Sequence, residues 1–219
     1  MAAARAQLRR EHGDVRWRQV GLETAEVAPA DDLVEWEARA SWGGDINRLV
    51  IKSEGEASSG DLEHAEAQVL YSRAIGPYFD IHAGLRQDFE PRPRTWAVVG
   101  VDGLAPYWFD VGAALFLSDR GRLAARLEGS TDFRITQRWV LQPRLEANFS
   151  SERHHCREIG SGLTDVELGL RLAYAVRPTL SPYVGLVWER AVGETADLAR
   201  AHGEAVEDSR FVVGLRGWF

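Results

Sequence analysis

Apolar and polar residues alternate along most of this chain with a period of two. From Leu33 onward, Val34, Trp36, Ala38, Ala40 and Trp42 interleave with Glu35, Glu37, Arg39 and Ser41. Such alternation puts successive side chains on opposite faces of a β-strand, one apolar and one polar. The pattern restarts after each turn signal. After Gly43-Gly44-Asp45, Leu49 and Ile51 oppose Arg48, Val50, Lys52 and Glu54. After Gly55–Gly60, Ala65, Ala67, Val69 and Tyr71 oppose His64, Glu66, Gln68 and Ser72. After Gly76-Pro77, Phe79, Ile81, Ala83 and Leu85 oppose Asp80, His82, Arg86 and Asp88. Further strands are expected over Thr95–Asp102, Tyr107–Ser118, Leu123–Asp132, Arg138–Phe149, Leu163–Tyr174, Val184–Glu189 and Arg210–Phe219. Val15–Val27 reads as a first strand of unresolved parity, and residues 1–14 as a polar N-terminal arm.

The chain thus presents about twelve strands of about ten residues, the length of a tilted strand crossing a membrane. With both termini on the periplasmic side, that side receives Gly43–Asp45, Gly76-Pro77, Gly103–Pro106, Arg134–Gln137 and Arg177–Pro182. All of these are short. The two longest connections, Ser151–Gly162 and Gly193–Asp208, fall on the other side. Short periplasmic turns with longer external loops describe an outer-membrane barrel, whereas a soluble sandwich has no reason to sort its loops by parity. The last ten residues point the same way. Phe211, Val213, Leu215 and Phe219 share one parity, and a C-terminal strand ending on an aromatic residue resembles the final strand of such barrels. The expected fold is all-β, a closed antiparallel up-and-down transmembrane β-barrel of about 12 strands covering residues 15–219.

Composition narrows the reading. The 219 residues carry a net charge of −7, so no basic field argues for nucleic acid. With 45% hydrophobic and 27% charged residues, and no apolar run approaching the roughly 18–20 residues of a spanning helix, a helical membrane protein is excluded. Eight Trp, five Tyr and eight Phe suffice for the aromatic girdles of a barrel. A single cysteine, Cys156, excludes an internal disulfide. Met1–Arg10 lacks the apolar core of a signal peptide. Since a barrel must be exported, the sequence is expected to be a mature or trimmed piece.

Backbone groups in lipid must be satisfied internally, so a membrane-spanning sheet has to close. The apolar faces then meet lipid, with Trp36, Trp42, Tyr71, Phe79, Phe89, Trp139, Phe149, Tyr174, Trp188 and Phe219 near strand ends as girdle residues. The charged faces turn inward. Acids including Glu35, Glu37, Glu66, Asp80, Asp102, Glu128, Glu146, Glu167 and Glu189 meet bases including Arg39, Arg48, Lys52, Arg86, Arg126, Arg138, Arg144 and Arg171, and are expected to pair across strands. This leaves either an ion-pair network filling a narrow lumen or an acid-lined route for a cation.

Several stretches resemble the outer-membrane copper-resistance protein B family. They are Trp42-Gly-Gly-Asp-Ile-Asn-Arg-Leu49, Lys52-Ser-Glu-Gly-Glu56, Leu70-Tyr-Ser-Arg-Ala-Ile75, Thr95-Trp-Ala-Val-Val-Gly-Val101, Gly103-Leu-Ala-Pro-Tyr107, Leu141-Gln-Pro143, Ile159-Gly-Ser-Gly-Leu163, Val187-Trp-Glu-Arg190 and Arg216-Gly-Trp-Phe219. The resemblance runs from about Trp17 to Phe219. It implies an outer-membrane barrel of a Gram-negative bacterium that acts in copper tolerance, binds copper ions, sits in outer-membrane lipid and works beside periplasmic copper-handling proteins. Members usually carry a Met- and His-rich N-terminal segment, which this sequence lacks.

With no methionine besides Met1, a thioether copper site is excluded, while thiolate selects Cu(I) and imidazole suits Cu(II) and Zn(II). The candidate ligands are His154, His155 and Cys156 in the external loop, and two lumen pairs, His64 with Glu66 and His82 with Asp80. A hairpin at Gly76-Pro77 whose paired numbers sum to about 153 sets His82 opposite Tyr71 and His64 opposite Phe89. The two histidines are then offset by more than three residues, roughly 11 Å at ~3.3 Å per residue, too far to share an ion. An enzyme of the barrel-lipase kind needs a serine with a base at the outer wall, and Ser53, Ser72 and Ser118 have no lipid-facing His partner. A general small-solute or cation channel and a purely structural barrel are the remaining alternatives.

Overall fold

The structure, a computed structural model, describes residues 16–151, 160–203 and 205–219. The expected polar arm and the His154-His155-Cys156 cluster lie outside these residues. Among those described, twelve strands follow one another around a closed antiparallel barrel. They are β1 (Trp17–Ala28), β2 (Leu33–Gly43), β3 (Asn47–Ser58), β4 (Asp61–Ala74), β5 (Phe79–Glu90), β6 (Arg94–Ala105), β7 (Phe109–Ser118), β8 (Leu123–Thr131, resuming at Phe133–Arg134), β9 (Trp139–Ser150), β10 (Gly162–Tyr174), β11 (Leu180–Ala191) and β12 (Glu207–Trp218). The two pieces of β8 belong to one ladder, because Ser130↔Arg144 and Arg134↔Val140 keep the same register with β9 on either side of Asp132. Among the described residues no helix is long and apolar enough to cross a membrane.

Closure comes from β1 against β12. Gly21 pairs with Trp218 and Val27 with Val213. Val20 and Phe219 exchange backbone hydrogen bonds of 2.9 and 2.7 Å. The parity of β1 is hard to read for a structural reason. Its registers with both β2 and β12 shift by one residue between Leu22 and the residues that follow, the signature of a β-bulge. Below the bulge Val20 points outward, and above it Val27 does. No single period-2 reading of β1 therefore works, and Glu26, inward above the bulge, escapes the pattern.

The outer face is the apolar one. Leu49, Ile51, Val69, Leu85, Val99, Leu115, Leu127, Leu145, Leu168, Leu186 and Phe211 are all exposed on it. An apolar surface this continuous is stable only against lipid. The girdle aromatics named above fall on this face, among them Trp139, whose ring meets Tyr174 edge-on at 4.9 Å. Arg138, expected inside, instead donates to the Tyr174 hydroxyl at 3.0 Å. It precedes β9 in the turn, where strand alternation no longer decides direction.

Within the sheet, several glycines sit directly opposite an aromatic ring. Trp36 faces Gly55, Phe79 faces Gly103, Tyr183 faces Gly214, and Trp218 faces Gly21. A Cβ at Gly55 would lie 2.1 Å from the Trp36 ring, and one at Gly214 2.4 Å from the Tyr183 ring. The rings therefore lie flat over the neighbouring backbone, restoring apolar cover that glycine alone forfeits.

Two connections differ from expectation. Tyr107 does not begin β7. Pro106–Trp108 form a short 3-10 turn in which Tyr107 and Trp108 adopt left-handed φ of 66° and 64°. The longest loop contains a helix, α1 (Gly193–His202), with Glu194 in its first turn, Arg200 and His202 in its last, and Gly203 closing it at φ 79°. Ala196 and Ala199 form its buried side. Glu194 accepts from the Ser161 backbone at 3.0 Å and Thr195 from the Gly160 backbone at 2.9 Å, tying the two long loops together.

Two changes test this packing. Gly55→Val forces a branched side chain into the Trp36 ring and is expected to cost about 1–3 kcal/mol. Arg171 reaches Glu26 with two hydrogen bonds of 2.8 and 3.1 Å, and Tyr183 donates to the same carboxylate at 3.0 Å. Arg171→Ala leaves Glu26, only 2% exposed, without its counter-charge, and is expected to cost about 3–5 kcal/mol. Urea unfolding of each variant in lipid vesicles, followed by Trp fluorescence, reads both losses.

Candidate functional site: the charged lumen

Side chains that share a row along the hydrogen-bond direction face the same side of a sheet. On the lumen side these rows are unusually acidic. One runs from β5 to β12 through Asp80, Asp102, Glu128, Glu146, Glu167, Glu189 and Asp208, with Gly112 its one uncharged member. A second runs through Glu37, Glu54, Glu66 and Asp88 and ends at Arg94. Like charges directly opposite destabilise a ladder. In these rows the expected pairing across strands is mostly not between residues directly opposite, because nearly all the ladder partners are themselves acids.

Neutralisation comes along the strands, diagonally between neighbouring strands and across the barrel. Arg86 binds Glu66 at 2.6 Å and Asp88 at 2.7 Å, and Trp96 donates to Asp88 at 2.9 Å. Arg126, on β8, reaches Glu54 on β3 at 2.8 Å and also approaches Glu146 at 3.4 Å. Arg144, on β9, reaches Glu37 on β2 at 2.8 Å and Glu146 at 3.3 Å. Arg126 and Arg144 therefore cross the lumen from one wall to the other. Behind them the β3–β7 wall carries an inward apolar cluster of Val50, Leu70, Trp96, Val98 and Phe116. The Arg86 and Arg126 guanidinium groups lie 5.1 and 5.9 Å from the Phe116 ring centre, within cation–π range.

On the side of the termini lies a cavity of about 670 Å³. Tyr78, Gly103, Arg134, Pro178 and Trp218, from turns and strand ends, mark its mouth. The short turns, the start of β1 and the end of β12 identify that mouth as periplasmic. Farther in, the wall carries Glu23, Glu37, Asp80, Asp102, Asp110, Glu128 and Asp132 against Arg39, Lys52, Arg144, Arg171 and Arg216. Arg216 pairs with Asp132 at 3.2 Å. Lys52, Asp102, Gly112 and Glu128 also border a separate void of about 20 Å³, lined further by Glu54, His82, Phe116 and Arg126, room for about one water.

The candidate ligands divide as follows. His82 is buried, and its Nδ1 lies 3.3 Å from Asp102 rather than against Asp80, which pairs with Arg48. Gly100, directly opposite, leaves space for the imidazole, since a Cβ there would lie 2.3 Å from Nε2. His64 Nε2 lies 3.5 Å from Glu66, but that carboxylate already accepts from Arg86 and, at 2.7 Å, from Gln68. His82 pairs with Ser72, not Tyr71, and Glu66 with Asp88, so the paired numbers sum to 154. An odd sum would set an inward residue against an outward one. His64 is eight residues from Ser72 along β4, so the two histidines are about 26 Å apart at ~3.3 Å per residue, not the expected 11 Å; even with His82 opposite Tyr71 the offset is seven residues, about 23 Å. Among the described residues no group of three or more His, Cys, Asp or Glu is arranged to hold a metal ion.

Sequence alternation misses three contributors. Glu26 is hidden by the β1 bulge. Trp96 and Phe116 point inward although they are apolar. Only the even parity shared by Trp96, Val98, Gly100 and Asp102 signals Trp96, and the same parity, carried by Asp110, Gly112 and Ser118, signals Phe116.

Similarity to known proteins agrees with this architecture. Residues 17–219 match the family described as Copper resistance protein B precursor (CopB). Copper resistance protein B of Escherichia coli is 46% identical over 185 residues, 84% of this chain and 62% of that protein. The Copper resistance protein B homolog of Pseudomonas syringae pv. tomato (strain ATCC BAA-871 / DC3000) is 46% identical over 84% of this chain and 63% of its own length. The chain thus spans about three fifths of the length of these curated relatives. In fold it is similar to the NanC porin (TM-score 0.59, 12% identity, covering 92% of this chain and 99% of that one) and the KdgM porin (TM-score 0.53, 14% identity, covering 92% and 99%). The chain belongs to the copper resistance protein B family, as an outer-membrane β-barrel.

Proposed function

We propose that this barrel binds copper ions on its lumen surface and passes them through that lumen, taking them up from the periplasmic mouth. The observation that carries the reading is the acid-rich cavity of about 670 Å³ with the His82–Asp102 pair beside it. One imidazole and nearby carboxylates suit Cu(II), and a pair of donors favours a weak, exchangeable contact over a permanent site. Asp102 orients the His82 ring through Nδ1, which leaves Nε2 as the nitrogen for the ion. The reading assigns the barrel no catalysis, and its copper would come from periplasmic copper-handling proteins.

Cu(II) titration of the refolded barrel, followed by electron paramagnetic resonance, tests it. Imidazole nitrogen coupling is expected in the parent protein and absent in His82→Ala. Asp102→Asn is expected to weaken binding about 10-fold or more. Coupling that survives in both His82→Ala and His64→Ala removes the lumen from the account and moves attention to His154, His155 and Cys156. A steady conductance with no copper dependence would instead favour a general cation channel.

A further inference from the structure

We infer that Arg126 and Arg144 decide whether the lumen conducts ions and which sign of charge it admits. Both side chains leave the β8–β9 wall and end on carboxylates of the opposite wall, Glu54 and Glu37, each at 2.8 Å. In a ring of twelve strands, β8 and β3 stand five strands apart, as do β9 and β2 by the shorter way round. These two contacts are therefore bridges spanning the lumen, not neighbour pairs within its wall. Glu146 lies beneath both guanidinium groups, at 3.4 Å from Arg126 and 3.3 Å from Arg144, and links the two bridges into one septum.

The periplasmic cavity reaches one bridge, at Glu37 and Arg144, and a void of about 20 Å³ lies against the other, at Glu54 and Arg126. A hydrated ion cannot pass a space of about one water. On this proposal both arginines swing away before an ion crosses. At this level the fixed charges are finely balanced. Glu37, Glu54, Glu66, Glu128 and Glu146 face Lys52, Arg86, Arg126 and Arg144. Rings of one charge sign set ion selectivity in pores. Removing the two bridging arginines leaves an acidic constriction, and removing Glu37 and Glu54 leaves a basic one.

The test is planar-bilayer recording of the refolded chain in a potassium chloride gradient without copper, so that its outcome is independent of the copper reading. The parent protein is expected to show no steady openings. Arg126→Gln with Arg144→Gln is expected to open steadily with several-fold preference for potassium, and Glu37→Gln with Glu54→Gln to open with preference for chloride. The fourfold Gln variant, which leaves neither member of either bridge charged, guards against misfolding of the double variants. It is expected to open with less potassium preference than the arginine pair. Heat-modifiable migration on gels verifies that each barrel is folded. The proposal is overturned if the parent conducts as steadily as the variants, if folded variants all remain silent, or if the two double variants open with the same selectivity.

Discussion

A carboxylate fixed directly across a ladder from another carboxylate cannot move away, because the backbone register of a closed barrel holds both Cα atoms in place. The rows from Asp80 to Asp208 and from Glu37 to Asp88 impose this constraint repeatedly. With no lipid-side escape, much of the negative charge has to be met by cations inside the barrel. Long arginine side chains can do this from a distance, and their planar guanidinium groups serve more than one acid at once. Arg126 serves Glu54 and Glu146, Arg144 serves Glu37 and Glu146, and Arg86 serves Glu66 and Asp88. The contents of the lumen follow from that requirement.

The same requirement shapes the reading of copper. Acids already engaged by arginine offer few free lone pairs to an ion, as Glu66 illustrates beside His64. His82 differs because it meets Asp102 through Nδ1, with Nε2 on the side of Gly100. A family tied to copper resistance and a lumen with sparse, scattered imidazoles fit together if contact with the ion is brief. Strong chelation would call for a donor set that the described residues do not assemble.

Much of the barrel was legible because period-2 alternation is enforced by two immiscible surroundings, lipid outside and charged groups within. Strand number, loop sorting, girdle positions and the inward direction of most ions follow from Val34–Trp42, Phe79–Asp88 and similar runs. The site was less legible because alternation assigns a side chain to a face but not to a partner. It could not tell that Arg126 ends on Glu54, 72 residues away, or that His82 turns to Asp102. The sum of 153 for the Gly76-Pro77 hairpin was itself at odds with the shared inward parity of His64, Glu66, His82 and Asp88. The helix in the last loop carried a local signal, acid first, base last and glycine after, which loop length concealed.

The bulge in β1 has a consequence for how the ring closes. Register shifts also occur near the ends of β4 and β10, but the one in β1 lies at the closing seam, where β1 must agree in face with β2 on one edge and with β12 on the other. Gly21 beneath Trp218 and Glu26 beside Gly214 both look inward only because one residue between them has no ladder partner. Pairing every residue of β1 in one unbroken register would keep every hydrogen-bonding group available and still turn Glu26 toward lipid, away from Arg171 and Tyr183. The seam is thus held by a count of residues as much as by any contact.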